Sequence, residues 1–198
     1  MRKLLLFIMT IVLIASPAYA LTVLDFESVP NIYRYGTGGG NTNLGNNYPG
    51  HPEVTFGPDA MIMVSGQPEY NNTDYPPHSG NTILFSKTNS LIRIDFTDPM
   101  AYVSLWFTTA SDLHLEAYNS SDTLLTQSVF SGSNLGTNNK LYVDRPTAEI
   151  AYVKIHDSGN HYTIDDLGYS ETPVPVPPTV LLLSFGLLGM VGLKKKIA

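Results

Sequence analysis

Cysteine is absent from the 198-residue chain. Without disulfides, the core or bound ions must hold the chain together. Thiolate catalysis and cysteine-based zinc sites are excluded with it. Clustered positive charge is also missing. Arg2, Lys3 and Lys194 to Lys196 lie at the two ends, and the stretch between carries only Arg34, Lys87, Arg93, Lys140, Arg145 and Lys154. There 17 acids face those six cations, a net charge of −11. Phosphate backbones require a basic patch, so nucleic acid is excluded as a partner. No His-x-x-x-His spacing occurs, and His51, His78, His114, His156 and His161 read as surface or loop residues. No Gly-x-Ser-x-Gly elbow is present for a serine nucleophile. Helix signals are nearly absent between residues 21 and 170.

The two ends are compositionally distinct from the middle. Arg2 and Lys3 precede an apolar run from Leu4 to Ala15, and Ala18-Tyr19-Ala20 has the small-x-small form read by signal peptidase. Residues 1–20 are therefore expected to be a signal peptide, a helix removed after Ala20. At the other end, Val174-Pro175-Val176-Pro177-Pro178 cannot be helical. Thr179 to Leu193 is almost entirely apolar and is stopped by Lys194, Lys195 and Lys196. As a transmembrane helix it would be about 22 Å long, somewhat shorter than a hydrocarbon core of roughly 30 Å. Lysine snorkelling and local thinning cover the difference, leaving the lysines cytoplasmic and the domain outside.

This end resembles the PEP-CTERM family of sorting signals: Pro175-Val176-Pro177, a short Leu- and Gly-rich helix, then a basic cluster. It departs at Val176, where the commonest form has Glu. The resemblance implies a Gram-negative bacterium that makes extracellular polysaccharide. It also implies processing by an exosortase, with an inner-membrane-anchored intermediate released to the cell surface or outside. Val174, Pro175, Val176 and Pro177 would be the sorting motif of segment 173–198.

Between the ends, residues 21–172 read as one β-sandwich domain. Short alternating or β-branched runs recur between Gly, Asn, Asp, Ser and Pro. Strands are expected at 21–27, 53–56, 60–64, 82–85, 90–96, 101–108, 113–119, 123–129, 140–143, 150–157 and 162–170. The turn Ser120-Ser121-Asp122 makes 113–129 a hairpin. About ten short strands argue for an all-β, antiparallel sandwich. Two long loops, 35–50 and 67–80, are rich in Gly, Asn, Tyr and Pro, the usual place for function.

Leu24-Asp25-Phe26-Glu27, the run from Ile94 to Leu105 with a turn at Pro99, and Tyr162-Thr163-Ile164-Asp165-Asp166-Leu167 carry a second likeness. They resemble the jelly-roll domains of PEP-CTERM proteins and related carbohydrate-binding modules. The first and last stretches are also similar to MAM adhesion domains without their cysteines. If the first and last strands pair, Asp25 and Glu27 meet Asp165 and Asp166. Four ionised carboxylates cannot cluster without a cation, and hard oxygen ligands suit Ca²⁺. The resemblance implies the same structural calcium. Glu27 and Asp165 are its expected main ligands, Asp25 or Asp166 assist, and Asn81 is weaker. Adjacent Asp165 and Asp166 point to opposite faces of a regular strand, which disfavours them as a catalytic pair.

Tyr33, Tyr35, Tyr48, Tyr70 and Tyr75 lie in or beside the polar loops, and Trp106 is the sole tryptophan. Aromatic faces stack on sugars while Asn and Asp bond hydroxyls, so Tyr35, Tyr48, Tyr70, Tyr75 and Trp106 are candidate glycan contacts. The expected function is a non-enzymatic exported surface or matrix protein contacting exopolysaccharide. The alternatives are a polysaccharide hydrolase on the same scaffold and a membrane-anchored subunit binding protein partners.

Overall fold

The computed structural model describes residues 21–35, 42–68, 70–88 and 90–174. The signal segment with Ala18 and Ala20, the apolar segment 179–193, and Pro175, Val176 and Pro177 lie outside these residues. Among the described residues, no helix is long and apolar enough to cross a membrane. One compact unit, Ala20–Pro173, holds every element described.

Eleven strands form two antiparallel sheets: β1 (Thr22–Leu24), β2 (Val54–Phe56), β3 (Ala60–Val64), β4 (Thr82–Ser86), β5 (Leu91–Met100), β6 (Tyr102–Thr109), β7 (Leu113–Tyr118), β8 (Leu124–Phe130), β9 (Asn139–Asp144), β10 (Ile150–His156) and β11 (Tyr162–Ser170). The first sheet runs β3-β4-β11-β6-β9, with β1 also paired to β11. The second runs β2-β5-β10-β7-β8. The chain is an all-β jelly-roll sandwich. Alternation explains it: Val103, Leu105 and Phe107 of β6 point inward with Ile92 and Ile94 of β5 and Val153 and Ile155 of β10. Intervening residues point outward, as period-2 patterning requires. These inward residues of both sheets form one continuous core.

Three details depart from the sequence expectation, each for a local reason. The first strand was expected over 21–27 but stops at Leu24. Phe26 has φ 62°, which turns the chain, and Asp25 Oδ1 accepts the N–H of Glu27 at 3.1 Å in the Asx-turn manner. Phe26 therefore drops into the core edge-on to Tyr48 and Phe56. Second, no turn occurs at Pro99, because β5 continues through it to Met100. Five residue steps of β5, from Asp95 to Met100, oppose only two of β10, from Tyr152 to Ile150. Pro99 lies within this bulge, where its missing N–H interrupts no ladder. The chain crosses between sheets at Ala101 instead.

The third departure positions the site. One edge of β11 pairs with β4 at Ile164 and with β1 from Leu167 onward, while β6 pairs along the other edge. At this change of partner β11 bulges: Asp165 opposes Trp106 and Gly168 opposes Ser104, three steps against two. Asp166 takes φ 45°, a left-handed conformation that Asp tolerates better than most residues. The bulge cancels strict alternation, so Asp165 and Asp166 do not point to opposite faces.

Candidate functional site: the aromatic strip on the outer face of the first sheet

The β3–β4 connection folds back over the outer face of the first sheet. Its Tyr70 packs with Met63 and Ile83, and Tyr35, Tyr75 and Phe85 close around them as a second small core. Burial pushes the Tyr70 hydroxyl above its usual range, and the nearby Asp165 charge adds to this. That hydroxyl donates to the carbonyl of Tyr75. A cleft of about 280 Å³ is bordered by Met63, Tyr70, Tyr75, Ile83 and Phe85 and by Asn160 to Thr163. Tyr48 is only 5% exposed. Its hydroxyl accepts the N–H of Phe26 at 3.0 Å and donates to Asp25 Oδ1 at 3.3 Å. Tyr48 and Tyr70 are thus interior side chains.

The expected acidic residues are used to hold this loop. Asp165 is 1% exposed. Its Oδ2 accepts the N–H groups of His78 and Ser79, each at 2.8 Å, and its Oδ1 accepts the N–H of Asp166 at 2.7 Å. Burial pushes its carboxyl up to about 7, helped by the Asp166 charge, although the three N–H donors oppose the shift. Asp166 accepts the Ser79 hydroxyl at 2.8 Å and meets His78 Nδ1 at 2.6 Å. Glu27 Oε1 accepts the N–H of Asn81 at 2.7 Å. Gly80 between them has φ +52°, and a Cβ there would lie 2.4 Å from that oxygen. On the far side, Asn138 donates to the carbonyl of Pro76 at 3.1 Å.

β1 and β11 do pair, and residues 78–81 join Glu27, Asp165 and Asp166 in one neighbourhood. As arranged, these groups do not fit a calcium ion. Both Asp165 oxygens, Asp166 Oδ1 and Glu27 Oε1 accept N–H or O–H groups, where Ca²⁺ needs six to eight oxygen ligands. Asp25 is engaged instead with Tyr48 and Glu27. Among the described residues, no group of three or more His, Asp or Glu side chains is placed to hold a metal ion.

This latch delivers one ring to the outer surface. His78 lies flat on Trp106, with centroids 3.7 Å apart and planes at 9°. Asp166 fixes the imidazole through Nδ1, and Asp165 fixes the backbone beneath it. Trp106 lies on β6 opposite Lys140 of β9, and Ser104 lies opposite Tyr142. Two residues before Ser104, Tyr102 stacks with Tyr142 at 5.9 Å and 24°. Tyr142 is 54% exposed. A strip therefore runs along β6 and β9: His78 on Trp106, then Tyr102 with Tyr142, flanked by exposed Lys140 and Asp144. Of its members the sequence pointed only to Trp106. The missed signal was the alternation Lys140-Leu141-Tyr142-Val143-Asp144, which puts Tyr142 on the polar side of an edge strand.

The outer face of the second sheet is built differently. Arg93 lies 3.7 Å over Tyr152, and Tyr152 stacks on Tyr118 at 4.9 Å and 6°. Lys154 lies 4.6 Å over Tyr118. Both faces of Tyr152 are therefore covered by side chains of the same sheet.

The class defined by these observations is a two-sheet antiparallel β-sandwich with an aromatic outer strip. No protein-family model matches the chain, and no curated protein matches it. Similar solved structures include a family 29 carbohydrate-binding module, with 15% identity, a TM-score of 0.39, and coverage of 62% of this chain and 97% of that one. Another is CsCBM6-3 from Clostridium stercorarium in complex with cellobiose, with 14% identity, a TM-score of 0.39, and coverage of 60% and 86%.

Proposed function

We propose that this chain is an exported, non-catalytic glycan-binding protein that contacts polysaccharide through Tyr142, Tyr102, Trp106 and His78. The observation that carries this reading is the exposure of Tyr142 beside a second stacked aromatic pair on the same sheet face. Pyranose rings have apolar C–H faces and hydroxyl rims. An exposed phenol ring takes the face, and the Lys140 ammonium and Asp144 carboxylate beside it take hydroxyls. Diagonal outward neighbours on paired strands stand about 7–8 Å apart, so the His78–Trp106 stack and Tyr142 suit neighbouring units of a chain more than a single sugar. In this reading Asp165 and Asp166 act by positioning His78.

Export and sorting complete the proposal. Their support is the sequence of the two ends: a removable leader ending at Ala20 and a Pro175-Val176-Pro177 motif before an apolar segment and three lysines. An exosortase-type enzyme is the processing partner, and the inner membrane holds the intermediate. The expected exported form begins at Leu21, which mass spectrometry of the released protein checks.

A glycan array read alongside a reducing-sugar assay tests the binding function. Retention on a polysaccharide without new reducing ends is expected. Release of reducing ends that disappears when one carboxylate is replaced would establish the hydrolase instead.

A further inference from the structure

On the outer face of the second sheet, His114 of β7 and His156 of β10 are direct cross-strand partners. Their rings are parallel, 6° apart, with centroids at 4.9 Å. Glu116, two residues along β7, places Oε1 3.5 Å from His156 Nε2. Neighbouring strands present Leu91 opposite His156 and Val129 opposite His114, both apolar and exposed. An open cleft of about 480 Å³ lies beside the two rings, bordered also by Asp112 and Asp157. The Asp157 carboxylate is buried at its base and bonded to the N–H groups of Gly159, Asn160 and His161. Lys154, two residues along β10 from His156, holds its ammonium over the Tyr118 and Tyr152 rings.

We propose that His114 and His156 form a two-imidazole chelate for a borderline divalent transition cation of the Cu²⁺ or Zn²⁺ kind. Opposed residues on antiparallel strands have Cβ atoms about 4.5–5.5 Å apart. Two metal–nitrogen bonds of about 2.0–2.1 Å at a tetrahedral angle need nitrogens about 3.4 Å apart. Parallel rings with centroids at 4.9 Å reach that separation by rotating about their side-chain torsions. Imidazole selects this class of metal over Ca²⁺ or Mg²⁺, which take oxygen ligands. Glu116 is placed to accept a hydrogen bond from a metal-bound water or from an imidazole N–H, the usual companion of a metal-bound histidine. Water fills the remaining positions, because no group of three or more His, Asp or Glu side chains among the described residues is placed to hold the ion.

The experiment is titration of the full-length protein with Cu²⁺ and, separately, Zn²⁺, each compared with Ca²⁺. The variants are His114→Gln, His156→Gln and, as a control elsewhere, His51→Gln. One equivalent of Cu²⁺ should bind with an electron paramagnetic resonance spectrum split by two nitrogens. Either cleft variant should weaken binding at least tenfold while its metal-free melting temperature stays that of the parent. His51→Gln should bind normally, and Ca²⁺ should not compete. Splitting from one nitrogen or none, or binding undiminished in either cleft variant, would overturn the site.

Discussion

Replacing Asp165 with Asn should make the protein less stable in acid and no less stable in mild alkali. The carboxyl is buried and its pKa is raised to about 7, against an ordinary value of 3.8. Between these values the folded protein binds a proton that the unfolded chain releases. Stability from this group is therefore full below about pH 3.8, declines as pH rises, and is gone above about 7. At about 1.4 kcal/mol per unit, the wild type gives up roughly 4 kcal/mol across that window. Asn stays neutral throughout, so it avoids this loss. Its amide can still accept the N–H groups of His78 and Ser79 through oxygen, but its NH₂ then faces the N–H of Asp166. One unsatisfied donor costs about 1–3 kcal/mol at every pH. The variant should thus be about 1–3 kcal/mol less stable near pH 4 and equal or better near pH 8. Glu53 and Glu116, whose carboxyls hydrogen bonds hold low despite partial burial, titrate alike in both proteins and cancel in the comparison. Urea denaturation of both proteins in chelator, at several pH values, measures the gap. A gap that stays constant, or widens as pH rises, would refute the reasoning, because it would mean that the ionised form is the one the fold stabilises.

Gly80→Ala should lose about 2–3 kcal/mol through a left-handed alanine and a displaced Glu27; denaturation should show the penalty shrinking in a Glu27→Ala background. Tyr48→Phe should cost about 1–3 kcal/mol by leaving the buried N–H of Phe26 without its acceptor, read as a lower melting temperature with unchanged secondary structure by circular dichroism. Excess Ca²⁺ should leave the melting temperature of the wild type where chelator sets it, because Glu27, Asp165 and Asp166 face N–H and O–H donors. A calcium-dependent rise that Glu27→Ala abolishes would instead establish the calcium site that the sequence suggests.

The strand plan was legible because burial in a sandwich imposes alternation on the sequence itself. Ala60–Val64 and Tyr162–Ser170 match their expected spans residue for residue, and the 113–129 hairpin pairs as read. What escaped was backbone geometry that alternation does not encode. Phe26 at positive φ, the bulge holding Pro99 and the bulge at Asp166 all depend on partners distant in sequence. The site was legible in part. The sequence allows pairing of β1 with β11, and that pairing brings Glu27, Asp165 and Asp166 to one end of the sheet. Whether a carboxylate there meets a cation or an N–H depends on where the 65–81 connection folds, and a polar loop sequence does not say. Likewise Tyr48 and Tyr70 read as loop tyrosines because their burial comes from packing across the fold. His114 and His156 have no meaningful spacing in sequence, since only the pairing of β7 with β10 makes them neighbours.

The central claim is that the Tyr142 and Trp106 strip is the polysaccharide-binding surface. Affinity electrophoresis of the wild type, Tyr142→Ala and Tyr118→Ala through gels containing a retained polysaccharide tests it most directly. Tyr142→Ala should weaken retention about five- to thirtyfold, the loss of roughly 1–2 kcal/mol typical of an exposed aromatic anchor. Tyr118→Ala, on the opposite sheet, should migrate like the wild type. Equal retention of wild type and Tyr142→Ala, with retention lost in Tyr118→Ala, would move the binding surface to the other face and contradict the account.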